Sequence, residues 1–384
     1  MKRFLYLAGS VLLLALAAPT TPSQEPTPVV SSGTALGLDG PATVITKEHK
    51  EAVDRGLAWL EANQNPDGSW TAKIGRKVNV GYDYTGEDGH VGVTSLACMA
   101  FLAGGHQLGR GDYGRVIERG LDFVLASAQE DGYITRNKTR MYSHAFSTLF
   151  LAEIYGMTHR EDVRVTLQRA VDFIVNCQNE EGGWRYVPFE SQSDMSIVVC
   201  QVIALRAARN IGIRVPKETI ERASEYVRDS AITPENLASM GRFNRRSLIG
   251  SFKYQKEGAN RSSFALTAAG VTALNGLGIY SDERIKEGLD YLRRYLDSFL
   301  ERYGAADDGH YFFWYGNYYG VQANYMAGEP FWTPYFTSLR DELLRMQKKD
   351  GSFPNDVGPG PAFGTAMGVL ILEIPYRFLP IFQR

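Results

Sequence analysis

Surplus charge, cysteine and long apolar runs are all scarce in this chain. Its 41 Lys and Arg stand against 43 Asp and Glu, a net charge of -2, so no basic excess marks it for nucleic acid, which is not an expected partner. Its three cysteines, Cys98, Cys177 and Cys200, are too few and odd in number for a disulfide framework. All three sit among apolar residues of helical pattern and read as small buried hydrophobes, with a Cys177 to Cys200 bridge as the alternative. No convincing strand pattern occurs, which removes the sheet-based fold classes.

The one long apolar run is at the N-terminus. Lys2 and Arg3 precede Phe4 to Ala18, interrupted by Gly9 and Ser10, and Ala15 and Ala17 suit cleavage after Ala17. Residues 1–17 therefore read as a signal peptide, too short and wrongly flanked for a membrane span. No transmembrane segment is expected in the mature chain. No Cys follows the cleavage site, so a lipoprotein anchor is not indicated, and the expected location is periplasmic or secreted. Residues 18–46, rich in Pro, Ser, Thr and Gly, read as a linker, and the folded domain is expected over 47–384.

What the chain has in abundance is a short stamp of Gln, a polar turn, Gly and an aromatic. It stands at Gln64 to Trp70, Gln129 to Tyr133, Gln178 to Trp184 and Gln347 to Phe353, with weaker copies at Gly250-Ser251-Phe252 and Asp308-Gly309-His310-Tyr311. A pattern returning at roughly 50 to 65 residues predicts an array of supersecondary units. Between stamps two helix types alternate. One has a single apolar stripe at i, i+4, i+7, as in Val53, Leu57, Leu60 or Leu339, Leu343, Met346, with Ile220, Ser224, Val227 a poorer version. The other is small, apolar and almost free of charge: 91–103, 145–155, 195–208, 264–277 and 365–374. The striped helices face solvent on one side and the apolar ones are buried on most sides. Gly104-Gly105, Gly156, Gly212 and Gly278 are read as terminators of the apolar helices. The expected fold is all-α, an α/α toroid of six inner and six outer helices closed into a ring, with an open solenoid as the alternative.

The stamps, above all Gln64 to Trp70 and Gln178 to Trp184, resemble the Gln-Trp motif of squalene and hopene cyclases. The pattern over 47–384 is similar to the α/α-toroid superfamily that also includes protein prenyltransferase β subunits and the complement thioester domain. The thioester Cys and Gln motif is missing from His90 to Ser95. The cyclases carry an Asp-x-Asp-Asp motif at the start of an inner helix; here the positional match is Ser193-Asp194-Met195-Ser196, with one acid, and Asp194 reads first as a helix N-cap. In prenyltransferase β subunits a zinc-binding Asp and Cys lie in a segment similar to Asp307 to Trp314. The resemblance puts Asp308 on the Asp, His310 on the Cys and Arg302 on a diphosphate-contacting arginine. It also leaves Ala305 where that family has lysine, and no third ligand near Phe363-Gly364-Thr365. Two ligands do not complete a zinc site, so no cofactor is expected, with zinc on Asp308 and His310 the minority reading. Asp194, Asp308 and His310 are the weak catalytic candidates.

His90, His144, Asp194 and His310 all fall at or near predicted starts of inner helices, and in a ring those starts share one end. A ligand site at that mouth is the sharper reading; separate caps and satisfied rim residues are the plainer one. After His310 the chain is densely aromatic, and Tyr311, Tyr315, Tyr318 and Gln322 share a helical face, as an aromatic ligand wall or as core. A long connection carries Arg242, Arg245, Arg246, Lys253, Lys256 and Arg261 against Glu257, as a solvated basic loop or an anion site. The functional expectation is an exported toroid holding an apolar isoprenoid or lipid in an aromatic lumen, without assigned catalysis. A cyclase-like or prenyltransferase-like enzyme and a protein- or glycan-interaction module are the alternatives.

Overall fold

The structure, a computed structural model, describes residues 44–72, 88–158, 160–238, 245–256, 261–304 and 309–383. The expected signal peptide, nearly all of the linker, and Arg242, Glu257, Ala305, Asp307 and Asp308 lie outside the described residues.

Among the described residues, outer and inner helices alternate, six of each, with one single-turn α-helix besides. The outer helices are α1 (Lys47–Ala62), α3 (Gly114–Leu125), α5 (Glu161–Asn176), α7 (Lys217–Asp229), α10 (Glu283–Tyr303) and α12 (Trp332–Met346). The inner helices are α2 (Val91–Ala103), α4 (Met141–Thr158), α6 (Met195–Asn210), α9 (Phe264–Gly276), α11 (Tyr311–Ala327) and α13 (Pro361–Glu373), and α8 (Pro234–Leu237) is the short one. Among the described residues there are isolated bridges but no β-strand. The helix types differ as their composition demands. Every residue of α2 is buried, whereas α3 buries Val116, Ile117, Gly120, Leu121, Phe123 and Val124 along one stripe.

The inner helices pack in the order α2, α4, α6, α9, α11, α13, and α13 packs back on α2, which closes the ring. Each outer helix lies against the inner ring, α1 bridging α12, α13 and α2. The open solenoid is thereby excluded. Polar bonds tie neighbouring inner helices where apolar contact alone would let them slide: Ser95 Oγ lies 2.8 Å from Ser147 Oγ, Gln201 Nε2 donates to the Met141 carbonyl at 3.0 Å, and Thr272 Oγ1 donates to the Tyr319 carbonyl at 2.8 Å.

The stamps carry the turns from outer to inner helix and also clamp the next outer helix. Gln64 Nε2 donates to Gly68 O and to Val116 O in α3, both at 2.9 Å. Gln178 does the same to Gly182 O and Thr219 O, and Gln347 to Gly351 O and Ala52 O, which joins the last stamp to the first helix. Gln129 differs: its amide reaches only Ser127 O and Thr135 O, each at 3.3 Å. Gly351 sits at φ +95°, and a Cβ there would collide with the carbonyl of Arg55, so this turn requires glycine twice over. Trp70 and Trp184 are buried, and each indole N–H donates 2.8 Å to a carbonyl ten residues back, Leu60 and Ile174.

Details of the elements differ from their sequence pattern. Helix α4 starts at Met141, four residues before the apolar run, and Gly156 lies inside it and ends nothing. Helix α7 buries Thr219, Ala223, Tyr226 and Val227, a stripe that the Ile220, Ser224, Val227 reading misses by one residue because Tyr226 takes the inward position. Cys98, Cys177 and Cys200 are buried and free, so no bridge joins Cys177 to Cys200. No helix among the described residues is long and apolar enough to cross a membrane.

Candidate functional site

The stamps deliver the inner helices with their starts at one end of the ring. Met141 N donates to Tyr186 O, Asp194 N to Trp184 O and Met195 N to Tyr254 O, each at 2.9 to 3.0 Å. The starts of α4 and α6 are thus each pinned to the connection before the next inner helix, and Asp194 is also held by its own connection. Four of the sequence candidates stand here, in unlike surroundings.

His90 is the N-cap of α2, its Nδ1 accepting the Val93 N–H at 3.2 Å; burial lowers its pKa to about 4, so the ring is neutral. His310 caps α11 in the same way, accepting from Phe312 N at 3.0 Å among the rings of Tyr303, Tyr311 and Phe312. Partial burial and the nearby Arg302 guanidinium hold its pKa below the usual value.

His144 sits one turn into α4 and is turned toward the outer sheath. Its Nδ1 accepts the Ile134 N–H at 3.0 Å, which leaves Nε2 to donate to Ala170 O in α5 at 3.2 Å. Both nitrogens are spent on backbone, and the ring lies between Tyr133 and Phe173. Burial lowers its pKa to about 4. The mouth thus does not gather the three histidines into one cluster, and Asp308 lies outside the described residues. Among the described residues no group of three His, Cys, Asp or Glu side chains is placed to hold a metal ion.

Asp194 is the exception. It caps α6 through Oδ1, which accepts from Ile197 N at 3.1 Å and from the Ser196 hydroxyl. Its Oδ2 is buried with no hydrogen-bond partner. Burial raises its pKa to about 6, against the opposing pull of the Ser196 and Ile197 bonds and the Arg185 charge. Such a carboxyl exchanges its proton near neutral pH, where an exposed aspartate would be fully ionised.

A collar of phenols gathers at the start of α6, where this acid sits. Tyr315 on α11 donates from its hydroxyl to Ser196 O at 3.2 Å, and the Tyr186 and Tyr254 hydroxyls bond to one another at 2.6 Å. Tyr142 on α4 lies edge-on to Tyr315 at 6.4 Å and 5.9 Å from Tyr186. Burial, and with it the Asp194 charge, raises the pKa of all four phenols, so they remain neutral donors. Tyr311 stands at the rim, where burial and Tyr186 raise its pKa to about 12, with Arg261 opposing. Arg261 lies with its guanidinium 4.0 Å over the Tyr254 ring.

Tyr318 and Gln322 lie deeper and do not join the collar. Tyr318 is fully buried against Tyr319, Phe146 and Phe382, and Gln322 Nε2 donates to Tyr318 O at 2.8 Å on its own helix. Of the expected wall, Tyr311 and Tyr315 reach the mouth while Tyr318 and Gln322 belong to the lumen interior. Tyr142, Tyr186, Tyr254 and Ser196 are collar members that sequence reasoning missed. A signal existed for two of them, since Tyr186 and Tyr254 each stand two residues after a stamp aromatic, Trp184 and Phe252. The basic connection is spread out: Arg261 turns to the collar, whereas Lys256 pairs with Asp229 at 2.6 Å on the outer side.

The family described as the squalene-hopene cyclase C-terminal domain matches residues 31–156. None of the curated proteins matches the chain. Among solved structures, a type II terpene cyclase from Scytonema in complex with its product merosterolic acid A is 13% identical with a TM-score of 0.55, covering 86% of this chain and 97% of that one. The α-1,6-mannanase of Salegentibacter sp. in complex with α-1,6-mannotriose is 10% identical with a TM-score of 0.57, covering 85% and 98%. Cellobiose 2-epimerase from Bacillus thermoamylovorans is 12% identical with a TM-score of 0.58, covering 86% and 98%. At these identities the likeness is one of fold, and it extends over enzymes of unlike chemistry. By its fold the chain is an α/α toroid, and over residues 31–156 it is similar to the squalene-hopene cyclase C-terminal domain.

Proposed function

We propose that the chain is an exported toroid that binds an apolar isoprenoid or lipid molecule at the ring mouth, beside the buried carboxyl of Asp194. The observation that carries this reading is the buried, unpartnered Oδ2 of Asp194 at a collar of four neutral tyrosines. Aromatic faces offer dispersion contact and attract positive charge. A type II terpene cyclase of this fold has been solved with geranylgeranyl dihydroxybenzoate as substrate, so a ring of this kind accommodates such a chain. Catalysis is not part of the proposal, because Asp194 stands without the neighbouring acids that the cyclase motif supplies.

A glycan is the second reading, favoured by the hydroxyl-rich rim and by the fold neighbour solved with α-1,6-mannotriose. One titration separates the two. Binding of geranylgeraniol, followed by quenching of intrinsic fluorescence, is expected to weaken about tenfold, roughly 1.4 kcal/mol, in Tyr315→Ala, and to persist in Asp194→Asn. Binding of mannotriose with no response to geranylgeraniol would replace the apolar reading by the glycan one. Metal analysis of the purified protein addresses zinc on the Asp308 and His310 pair.

A further inference from the structure

The opposite end of the ring is closed by the chain itself. After α13 the backbone turns at Arg377, which is left-handed at φ +61°, leaves Phe378 exposed, and runs back over the ends of the inner helices. Leu379, Ile381 and Phe382 are buried there, and the turn Pro380–Phe382 packs on α6. Phe382 meets the ring of Tyr318 edge-on at 6.4 Å, so the tail touches the same aromatic column that the lumen carries inward from the mouth.

What lies under the tail is not a finished core. Glu153, on the inner helix α4 two turns beyond Phe146, is buried and accepts the backbone N–H of Ile381. Its Oε2 has no hydrogen-bond partner, and neither has the hydroxyl of Tyr318, also buried. Beside them a cavity of about 20 Å³, room for about one water, remains, lined among others by Ile203, Arg206, Gln322, Tyr325, Ile381 and Phe382. A purely structural plug would be expected to leave no orphaned carboxyl and phenol oxygens buried beneath it, because each costs stability. A molecule longer and better matched than four residues of tail would satisfy them.

We propose that this end of the lumen is a second binding chamber, which takes an apolar molecule with a hydrogen-bond-donating head, an alcohol or an amide, and that Leu379–Phe382 holds its place. The head replaces the Ile381 N–H on Glu153, and the apolar body replaces Leu379 and Phe382 against Tyr318 and Phe146. A diphosphate or carboxylate head is disfavoured, because it brings no donor to replace the Ile381 N–H and its charge loses hydration on entering this buried place. This inference rests on the reading of the ring as a receptor for apolar molecules and adds the head group and the entrance.

The test compares the full chain with Phe382→Ala and with a chain ending at Phe378, titrated with geranylgeraniol and with geranylgeranyl diphosphate. Folding is monitored by circular dichroism and Tm. Both tail variants are expected to bind the alcohol at least about tenfold tighter than the full chain, and Glu153→Leu in the Phe382→Ala background is expected to abolish that gain. The diphosphate is expected to gain nothing. Where the shortened chain does not fold, Phe382→Ala carries the test alone, since it keeps the tail backbone and its bond to Glu153. Equal affinity in the full chain and a folded Phe382→Ala variant, or an equal gain for the diphosphate, overturns the proposal. Tighter binding that ignores Tyr315→Ala supports the chamber and removes the mouth from the proposed function, whereas no binding by any form overturns both.

Discussion

At the scale of single residues, the difference between Asp194 and the histidines is one of unspent hydrogen-bonding capacity. His144 places both nitrogens on backbone groups of two other elements, so its replacement is felt as a loss of stability. Asp194 uses one oxygen as a cap and keeps the other unpaired. Its pKa of about 6 in the fold exceeds the ordinary aspartate value of 3.8, so the folded state holds a proton that the unfolded state has lost. Stability therefore rises as pH falls through the window from 6 to 4 and is flat outside it for this group. Relative to Asp194→Asn, the wild-type chain is expected to gain on the order of 3 kcal/mol between pH 7 and pH 4, from the roughly two-unit difference. Urea unfolding of both proteins at four pH values measures it, and parallel curves would place the carboxyl in a solvated site. That Asp194 caps a helix was legible from its position before an apolar run. Its lack of a second partner was not, because the partners that fail to reach Oδ2 come from α4, α11 and two connections.

At the scale of elements, the stamp is the unit that matters. A Gln amide bonded to its own turn and to the next outer helix holds two elements at once, as Gln64, Gln178 and Gln347 do. Gln129 reaches only its own turn, at longer range. Replacing Gln347 by Ala is expected to lower stability by about 1 to 2 kcal/mol, leaving the Gly351 carbonyl unpaired and the Ala52 carbonyl with its helical bond alone, and replacing Gln129 by about 0.5 kcal/mol or less. Thermal unfolding of the two variants checks the order, and an equal loss would contradict the clamp. The sequence pattern makes these four sites alike. Only the position of the following outer helix separates Gln129 from the rest.

At the scale of the whole molecule, closure decides the mode of unfolding. In an open array each unit contacts only its neighbours, and cooperativity weakens along the stack. Here α13 packs on α2, α1 packs on α12, and Arg340 Nη1 donates 2.9 Å to Val44 O, so the last units hold the first. Calorimetry is expected to give one transition with equal van't Hoff and calorimetric enthalpies. Two resolved transitions would show that one arc of the ring melts alone.

Local pattern alone determined the helix alternation, the six inner and six outer helices and the turns between them. Apolar periodicity and glycine at left-handed positions are properties of neighbouring residues. The closed ring, with all inner starts at one end, follows from these once the apolar helices must bury every face. Tertiary structure alone decided which polar groups remain unsatisfied. The Asp194 collar draws Tyr142, Tyr186, Tyr254 and Tyr315 from four places in the chain, and Glu153 meets Ile381 across more than two hundred residues. A hydrogen bond missing inside a core depends on every element packed around it, and no spacing along the chain records that.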